Sequence, residues 1–387
     1  MYYRIMQEEL KSSATQLPIV TVLGPRQSGK TTLVRETFPE KPYVNMESLH
    51  IRELATSDPV AFLEQYPDGA IFDEIQEVPT LLSYIQVRVD QSQKKGEFIL
   101  TGSHQLELNA AISQSLAGRV ALLHLLPMSI EELMIAGINK SLDETLYEGC
   151  YPRIHAGQLN PTKTYASYVR TYIEKDIRMI LQVHNLNLFQ KFMVLCASRV
   201  GQILNKESLA GEVGVSSKTI GHWLSILEAC YIIFILPPYF NNFGKRVVKS
   251  PKIYFCDVGL VAYLLGIETV EQMSRDPLKG NLFENLVVNE LMKARYNQGL
   301  EPRLYFYQES SRNEVDLIYQ RGHELVPIEI KSSRTYNSSF LDGINKFKKV
   351  AGDKCTSPYL VYSCDEEIKI GDIQLLNYRN STKIVRS

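Results

Sequence analysis

Residues 24–31 read GPRQSGKT and directly follow the apolar run LPIVTVL. The pattern is G-x-x-x-x-G-K-[ST] between a strand-like and a helix-like segment, the setting in which it cradles a phosphate. Gly24 and Gly29 let backbone N–H groups wrap an anion, with Pro25, Arg26, Gln27 and Ser28 as the loop between them. Lys30 is placed to reach the β- and γ-phosphates, and the Thr31 hydroxyl to ligate Mg²⁺. Thr32 continues the first helical turn, whose amides favour the anion. Downstream, AIFDEI sets Asp73 and Glu74 at the end of an apolar strand. Asp73 would hold Mg²⁺ through water, and Glu74 would orient or deprotonate the attacking water. Adjacent carboxylates at a strand end can also cap the next helix. ATP and Mg²⁺ are the expected ligands. FILTGS ends another strand in hydroxyl residues, so Thr101 or Ser103 is placed to sense the γ-phosphate or simply to form a turn. Arg119 in SLAGRV is a candidate arginine finger for a neighbouring subunit, or else a surface ion-pair partner.

A second set of residues lies far downstream. Glu284 sits in the helical pattern NLFENLVVNEL, Asp316 in NEVDLIYQ, and Glu329 and Lys331 in IEIKSS. The last three make D-x(n)-E-x-K across two strands. Period-two alternation puts Glu329 and Lys331 on one face, with Ile330 opposite. Asp316 and Glu329 could share a Mg²⁺ or Mn²⁺ ion, and Lys331 could stabilise or help deprotonate water beside a scissile phosphate. Glu284 would complete the metal shell or position a lysine. The alternative is a structural core whose charges are ion pairs.

Between the two sets, KESLAGEVGVSSKTIGHWLSILE at 206–228 reads as helix, glycine-bearing turn, helix. Ser216, Ser217, Lys218, Thr219 and His222 would open the second helix, where short polar residues contact phosphates or base edges. CYIIFILPPY and KIYFCDVG would be wing strands, with Lys245, Arg246 and Lys249 near the wing to grip a backbone. Trp223, Leu224, Ile226 and Leu227 read as the core of this element. Winged helices also serve as protein-binding modules and ATPase lids.

These residues need a scaffold. Up to Met128, short apolar runs alternate with helical pattern, which predicts a parallel sheet covered on both faces. The expected organisation is 1–128 as a nucleotide-binding core, 129–200 as a helical lid or connector, 201–275 as the winged helix, and 276–387 as a third α/β unit. The chain has 387 residues, 44% hydrophobic and 22% charged, enough for several buried cores. A net charge of -1 excludes a globally basic nucleic-acid binder and requires any basic surface to be local. MYYRIMQEELKSS is no secretory signal. No run reaches the roughly 18–20 apolar residues of a membrane helix. Six scattered cysteines, with no C-x-x-C pair, argue against zinc and disulfides and for a reduced, cytoplasmic protein.

GPRQSGKTTL, IFDEIQ, ILTGS and SLAGRV resemble the AAA-type ATPases of the additional-strand, catalytic-glutamate class. One prokaryotic branch of that class is similar over essentially the whole chain. Its C-terminal region has long been described only as a domain of unknown function, and GCYPRIH, KIYFCDVGL and GNLFENLVVNEL match its recurring motifs. The resemblance implies a strand order 5-1-4-3-2. Residues 280–365 resemble the PD-(D/E)XK phosphodiesterase superfamily, the branch with an acidic residue on its leading helix, with Val315-Asp316 in place of Pro-Asp. The fold class expected is therefore α/β: a P-loop ATPase core, a helical and winged-helix region, and a restriction-endonuclease-like domain. The expected function is an ATP-driven motor on DNA, including DNA branched like a Holliday junction, with DNA and further copies of the chain, up to a hexamer, as partners and no membrane. The alternative is a nucleotide switch of signalling or defence type, with the C-terminal domain as an inactive docking or effector module.

Overall fold

The computed structural model describes residues 2–103, 115–173, 186–239, 248–309, 313–364 and 366–386. The chain divides into two compact units. One comprises Met1–Met128 with Ala229–Tyr231 and Tyr296–Leu300; the other comprises Ser129–Glu228, Ile232–Arg295 and Glu301–Ser387.

The first unit is built on a parallel sheet of β1 (Ile19–Leu23), β2 (Tyr43–Asn45), β3 (Ala70–Asp73), β4 (Phe98–Gly102) and β5 (Val120–His124). Its order is β2-β3-β4-β1-β5, the same sequence of neighbours that the family resemblance implies. The central strands β1, β3 and β4 are buried along their whole length, which is why they read as unbroken apolar runs rather than alternating ones. Helix α1 (Met6–Gln16) lays Met6, Leu10 and Ala14, and helix α2 (Lys30–Thr37) lays Leu33 and Val34, into one core with Val20, Val22, Ile71 and Ile99 of the sheet. The loops after β1, β3 and β4 leave from their carboxyl ends, where open α/β sheets place their ligands.

The second unit begins with short helices over Ile130–Ile135, Leu142–Glu148, Pro152–Ala156, Pro161–Tyr168 and Leu186–Ala197. The first two start with capping boxes, Ser129 with Glu132 and Ser141 with Glu144, which satisfy orphan backbone donors reciprocally. Lys206–Val213 and Ser217–Ala229 follow as a helix pair. Strands β6 (Ile233–Leu236) and β7 (Lys252–Phe255) then pair antiparallel. After the long helix Lys279–Tyr296 comes a six-stranded sheet of β8 (Leu304–Gln308), β9 (Glu314–Arg321), β10 (Glu324–Lys331), β11 (Tyr359–Tyr362), β12 (Lys369–Ile370) and β13 (Ile373–Asn377). Its order is β12-β13-β11-β10-β9-β8. β10, β11 and β13 run parallel, whereas β8-β9, β9-β10 and β12-β13 are antiparallel pairs. Helix Asp342–Ala351 connects β10 to β11 and packs Phe347 and Ala351 on Val315, Ile318 and Leu325.

Buried polar residues tie three segments of this unit together. Asp257, 2% exposed, accepts hydrogen bonds from the Cys150 and Leu260 amides and the Tyr165 hydroxyl. The Asn285 side chain pairs with both the N–H and the carbonyl of Phe255, and the Asn289 amide donates to the same carbonyl. GCYPRIH, KIYFCDVGL and GNLFENLVVNEL therefore meet at a network that completes backbone hydrogen bonding, where an unmet buried group is costly.

Candidate functional site

The glycine loop hugs the sheet. A Cβ at Gly24 would lie 2.1 Å from the Leu125 carbonyl oxygen, and Gly29 sits at φ 96°. Only glycine meets both demands at low cost. Gly24→Ala is expected to abolish nucleotide binding in a protein whose second unit stays folded, read by fluorescent-nucleotide titration alongside circular dichroism. Lys30 is buried, and its ammonium donates to the carbonyls of Gly24 and Pro25 at 3.0 Å each. Burial lowers its pKa, with partial compensation from the charges of Glu74 and Asp73. The Ser28 hydroxyl is buried without a hydrogen-bond partner. A lysine resting on its own loop and an orphaned hydroxyl are what a phosphate cradle leaves to be satisfied. Arg4, just before α1, donates to the Ser28 carbonyl at 2.6 Å and the Leu126 carbonyl at 2.7 Å, fastening the loop from behind. Nothing local in MYYRIM reveals that role. Arg26 lies 3.7 Å from Glu47.

Asp73 and Glu74 leave β3 side by side but face different partners. Both oxygens of Asp73 meet the Thr31 hydroxyl, at 3.0 and 3.1 Å, and the carboxylate also accepts from Thr101 and, at 2.7 Å, from Tyr43. Thr31 and Asp73 are thus adjacent oxygen donors, the set a Mg²⁺ ion takes. Glu74 adopts the left-handed conformation, φ 57°, which turns its side chain away from Asp73's cluster. Its carboxylate accepts from Gln76 and, at 3.0 Å, from Ser103. Burial alone would raise its pKa, but the charge of Lys30 and the bonds from Gln76 and Ser103 outweigh it and hold the group below its usual value. Glu74 is therefore an ionised acceptor at neutral pH. Thr101 and Ser103 each serve one carboxylate. Tyr43 and Gln76 are site residues that motif reading passes over. Arg119 is bound at the surface to Asp90, at 2.5 and 2.9 Å.

In the second unit, β9 and β10 bring Asp316, Glu329 and Lys331 together. The Lys331 ammonium lies 3.1 Å from Asp316 and 2.6 Å from Glu329. Asp316 also accepts from the Ile330 amide at 2.8 Å. Lys331 is held well above its ordinary pKa, because these two carboxylates overcome the cost of its burial. Glu284 lies with Lys252, 3.2 Å away, and the Tyr254 hydroxyl. Lys252 is 3% exposed and reaches Glu314 as well, at 2.7 Å. Sequence reading missed this lysine, whose one signal is a charge opening the apolar strand KIYF. Four carboxylates, Glu284, Glu314, Asp316 and Glu329, thus share two ammonium groups. One Glu329 oxygen is buried with no hydrogen-bond partner. Burial and then the Asp316 charge raise the Glu329 pKa to about 8. Among the described residues, no group of three or more His, Cys, Asp or Glu is arranged to hold a metal. Because Glu329 binds its proton more tightly folded than unfolded, its contribution to stability is present at acid pH. It is lost as pH rises from about 4.5 through about 8. Urea unfolding across that range should show stability falling with pH in wild type and a flatter profile in Glu329→Gln.

In the helix pair, Ser216 caps the second helix: its hydroxyl accepts from the Thr219 amide at 3.1 Å and bonds the Thr219 hydroxyl. Ser217, Lys218 and His222 are exposed, as is Lys249. Lys245 and Arg246 lie outside the described residues. Trp223 is buried against Phe189 and Phe192, and Leu224, Ile226 and Leu227 are buried with it.

Residues 16–134 match the model of an AAA domain. Residues 139–271 and 279–380 match two domains of unknown function, DUF8612 and DUF4143. An uncharacterized protein of Mycobacterium tuberculosis is 28% identical over 330 residues, which is 84% of this chain and 73% of the relative. Among solved structures, a Walker-type ATPase of Pyrococcus abyssi is similar at 14% identity and a TM-score of 0.46, over 68% of this chain and 96% of that one. The RuvB Holliday junction branch migration motor of Thermotoga maritima is similar at 15% identity and a TM-score of 0.30, over 60% and 87%. The first unit is an AAA-type, P-loop ATPase-like α/β domain. No helix among the described residues is long and apolar enough to cross a membrane.

Proposed function

We propose that this protein hydrolyses Mg-ATP and uses the energy to act on DNA through its second unit. The observation that carries the ATPase half is the division of labour at the end of β3. Asp73 is bound to Thr31, while Glu74 is turned away and kept ionised by Lys30, Gln76 and Ser103. Mg²⁺, held through Thr31 and Asp73, would neutralise charge on the phosphates. Lys30 exchanges its two loop carbonyls for phosphate oxygens. Glu74 accepts a hydrogen bond from the attacking water and takes its proton as the water adds to the γ-phosphorus and the bond to the leaving β-phosphate oxygen breaks. Arg119, released from Asp90, would serve a neighbouring copy, so the working form is a homo-oligomer. Glu74→Gln should bind ATP normally and turn it over about 10²–10⁴-fold more slowly; unaltered turnover would remove the assignment.

The DNA half is supported by the exposed start of the helix at Ser217–Ala229 and by the order helix, three antiparallel strands, helix, parallel strand around Asp316, Glu329 and Lys331. That order supports the restriction-endonuclease-like reading, with Mg²⁺ or Mn²⁺ at Asp316 and Glu329. Asp316→Ala should eliminate any metal-dependent strand cleavage and leave ATP turnover unchanged; cleavage that persists belongs elsewhere. One observation favours a nucleotide switch with a docking domain instead: the acidic cluster is largely neutralised by the protein's own Lys252 and Lys331.

A further inference from the structure

The parallel strands β10, β11 and β13 end in register, Lys331 beside Tyr362 and Tyr362 beside Asn377. Just beyond these carboxyl ends is a cleft of about 370 Å³, lined among others by Lys279, Ser332, Arg334, Ser363, Asn377 and Arg379. Carboxyl ends of parallel strands are where open α/β sheets bind ligands. Lys279 is the first residue of an 18-residue helix, so the cleft also receives the positive end of that helix. Three cations meet a single carboxylate there, Asp143, which lies 2.6 Å from Lys279. Arg379 is held in place by the Lys140 carbonyl at 2.6 Å and the Tyr378 hydroxyl at 3.3 Å. Arg334 is exposed, and no hydrogen bond or ion pair engages it among the described residues.

From this lining we infer that the cleft is a phosphate subsite for the backbone of a nucleic-acid strand. Charge, hydroxyls and an amide suit phosphate oxygens. The cleft's aromatic residue, Tyr378, is buried, T-shaped against Phe283 and with the Arg379 guanidinium over its ring, so it offers no open face for a base to stack on. A free nucleotide held here would leave its base without a stacking partner, whereas a backbone phosphate needs none. Ser332 follows Lys331 directly, so the cleft adjoins the end of the strand that carries Glu329 and Lys331. This subsite rests on the reading of the second unit as one that handles nucleic acid.

The test is fluorescence anisotropy of the full chain with labelled single-stranded and duplex oligonucleotides. It is run without divalent metal, from 50 to about 200 mM salt, a range over which phosphate contacts are strongly screened. Wild type, Arg334→Glu and Arg334→Lys are compared, each checked by thermal unfolding. The expected result is about tenfold weaker binding by Arg334→Glu, a salt slope smaller by about one, and near-wild-type binding by Arg334→Lys. Wild-type binding that Arg334→Glu leaves intact in affinity and slope overturns the cleft and spares the nucleic-acid reading. A wild type that binds neither oligonucleotide overturns both. Displacement of bound oligonucleotide by inorganic phosphate, lost in Arg334→Glu, would support the cleft further.

Discussion

Lys30→Ala is expected to cut ATP turnover by about 10²–10³-fold, the cost of losing a preorganised charge aimed at the transferring phosphoryl group. The loss should exceed that of a surface lysine because Lys30 is buried and its charge disfavoured where it stands. An arriving phosphate relieves that penalty, so the lysine gains more from the ligand than a solvated one would. Removing it also strips the Gly24 and Pro25 carbonyls of a donor. Phosphate release under saturating ATP, with nucleotide affinity measured alongside, reads the effect. Turnover within twofold of wild type would rule out Lys30 as the phosphate ligand.

Lys252→Ala should produce the largest loss of stability, about 3–5 kcal/mol, because it leaves buried carboxylates without their counter-charge. The ammonium is held well above its ordinary pKa: burial opposes the charge, but the pull of Tyr254, Glu284, Glu314 and Asp316 outweighs it. Glu284, whose pKa is itself raised by burial, would then face Asp316 without compensation. Adding Glu284→Gln to Lys252→Ala should recover a substantial part of the loss, since the second change removes one of the stranded charges. Urea denaturation of the two single variants and the double variant measures it. Strict additivity would show that Lys252 and Glu284 do not interact energetically.

What was legible in the sequence was what is local. Gly24 to Thr31 is one continuous loop whose chemistry follows from residue type and spacing. Asp73 and Glu74 announce themselves by ending an apolar strand, and Glu329 and Lys331 by the period of β10. Residues whose partners are set by tertiary pairing were not legible. Tyr43 reaches Asp73 because β2 lies beside β3, with Asn45 paired to Asp73 across the sheet. Lys252 meets Glu284 from 32 residues away, and Arg4 meets Leu126 from 122. No spacing rule joins such pairs until the strand order is known. The order β2-β3-β4-β1-β5 itself came from family resemblance, because periodicity identifies strands but does not arrange them. Glu284 had two open readings, completing a metal shell or positioning a lysine, and its sequence did not disclose that Lys252 and Tyr254 are the side chains beside it.

Whether hydrolysis is coupled to DNA is decided by ATP turnover of wild type and Glu74→Gln, alone and with single-stranded, duplex and four-way-junction DNA, with strand cleavage read in the same tubes. Wild-type turnover should rise with at least one DNA form, and turnover by Glu74→Gln should be nearly absent under every condition. Turnover by wild type that ignores every DNA, without cleavage, would contradict a DNA-coupled ATPase and leave the nucleotide switch as the reading of this fold.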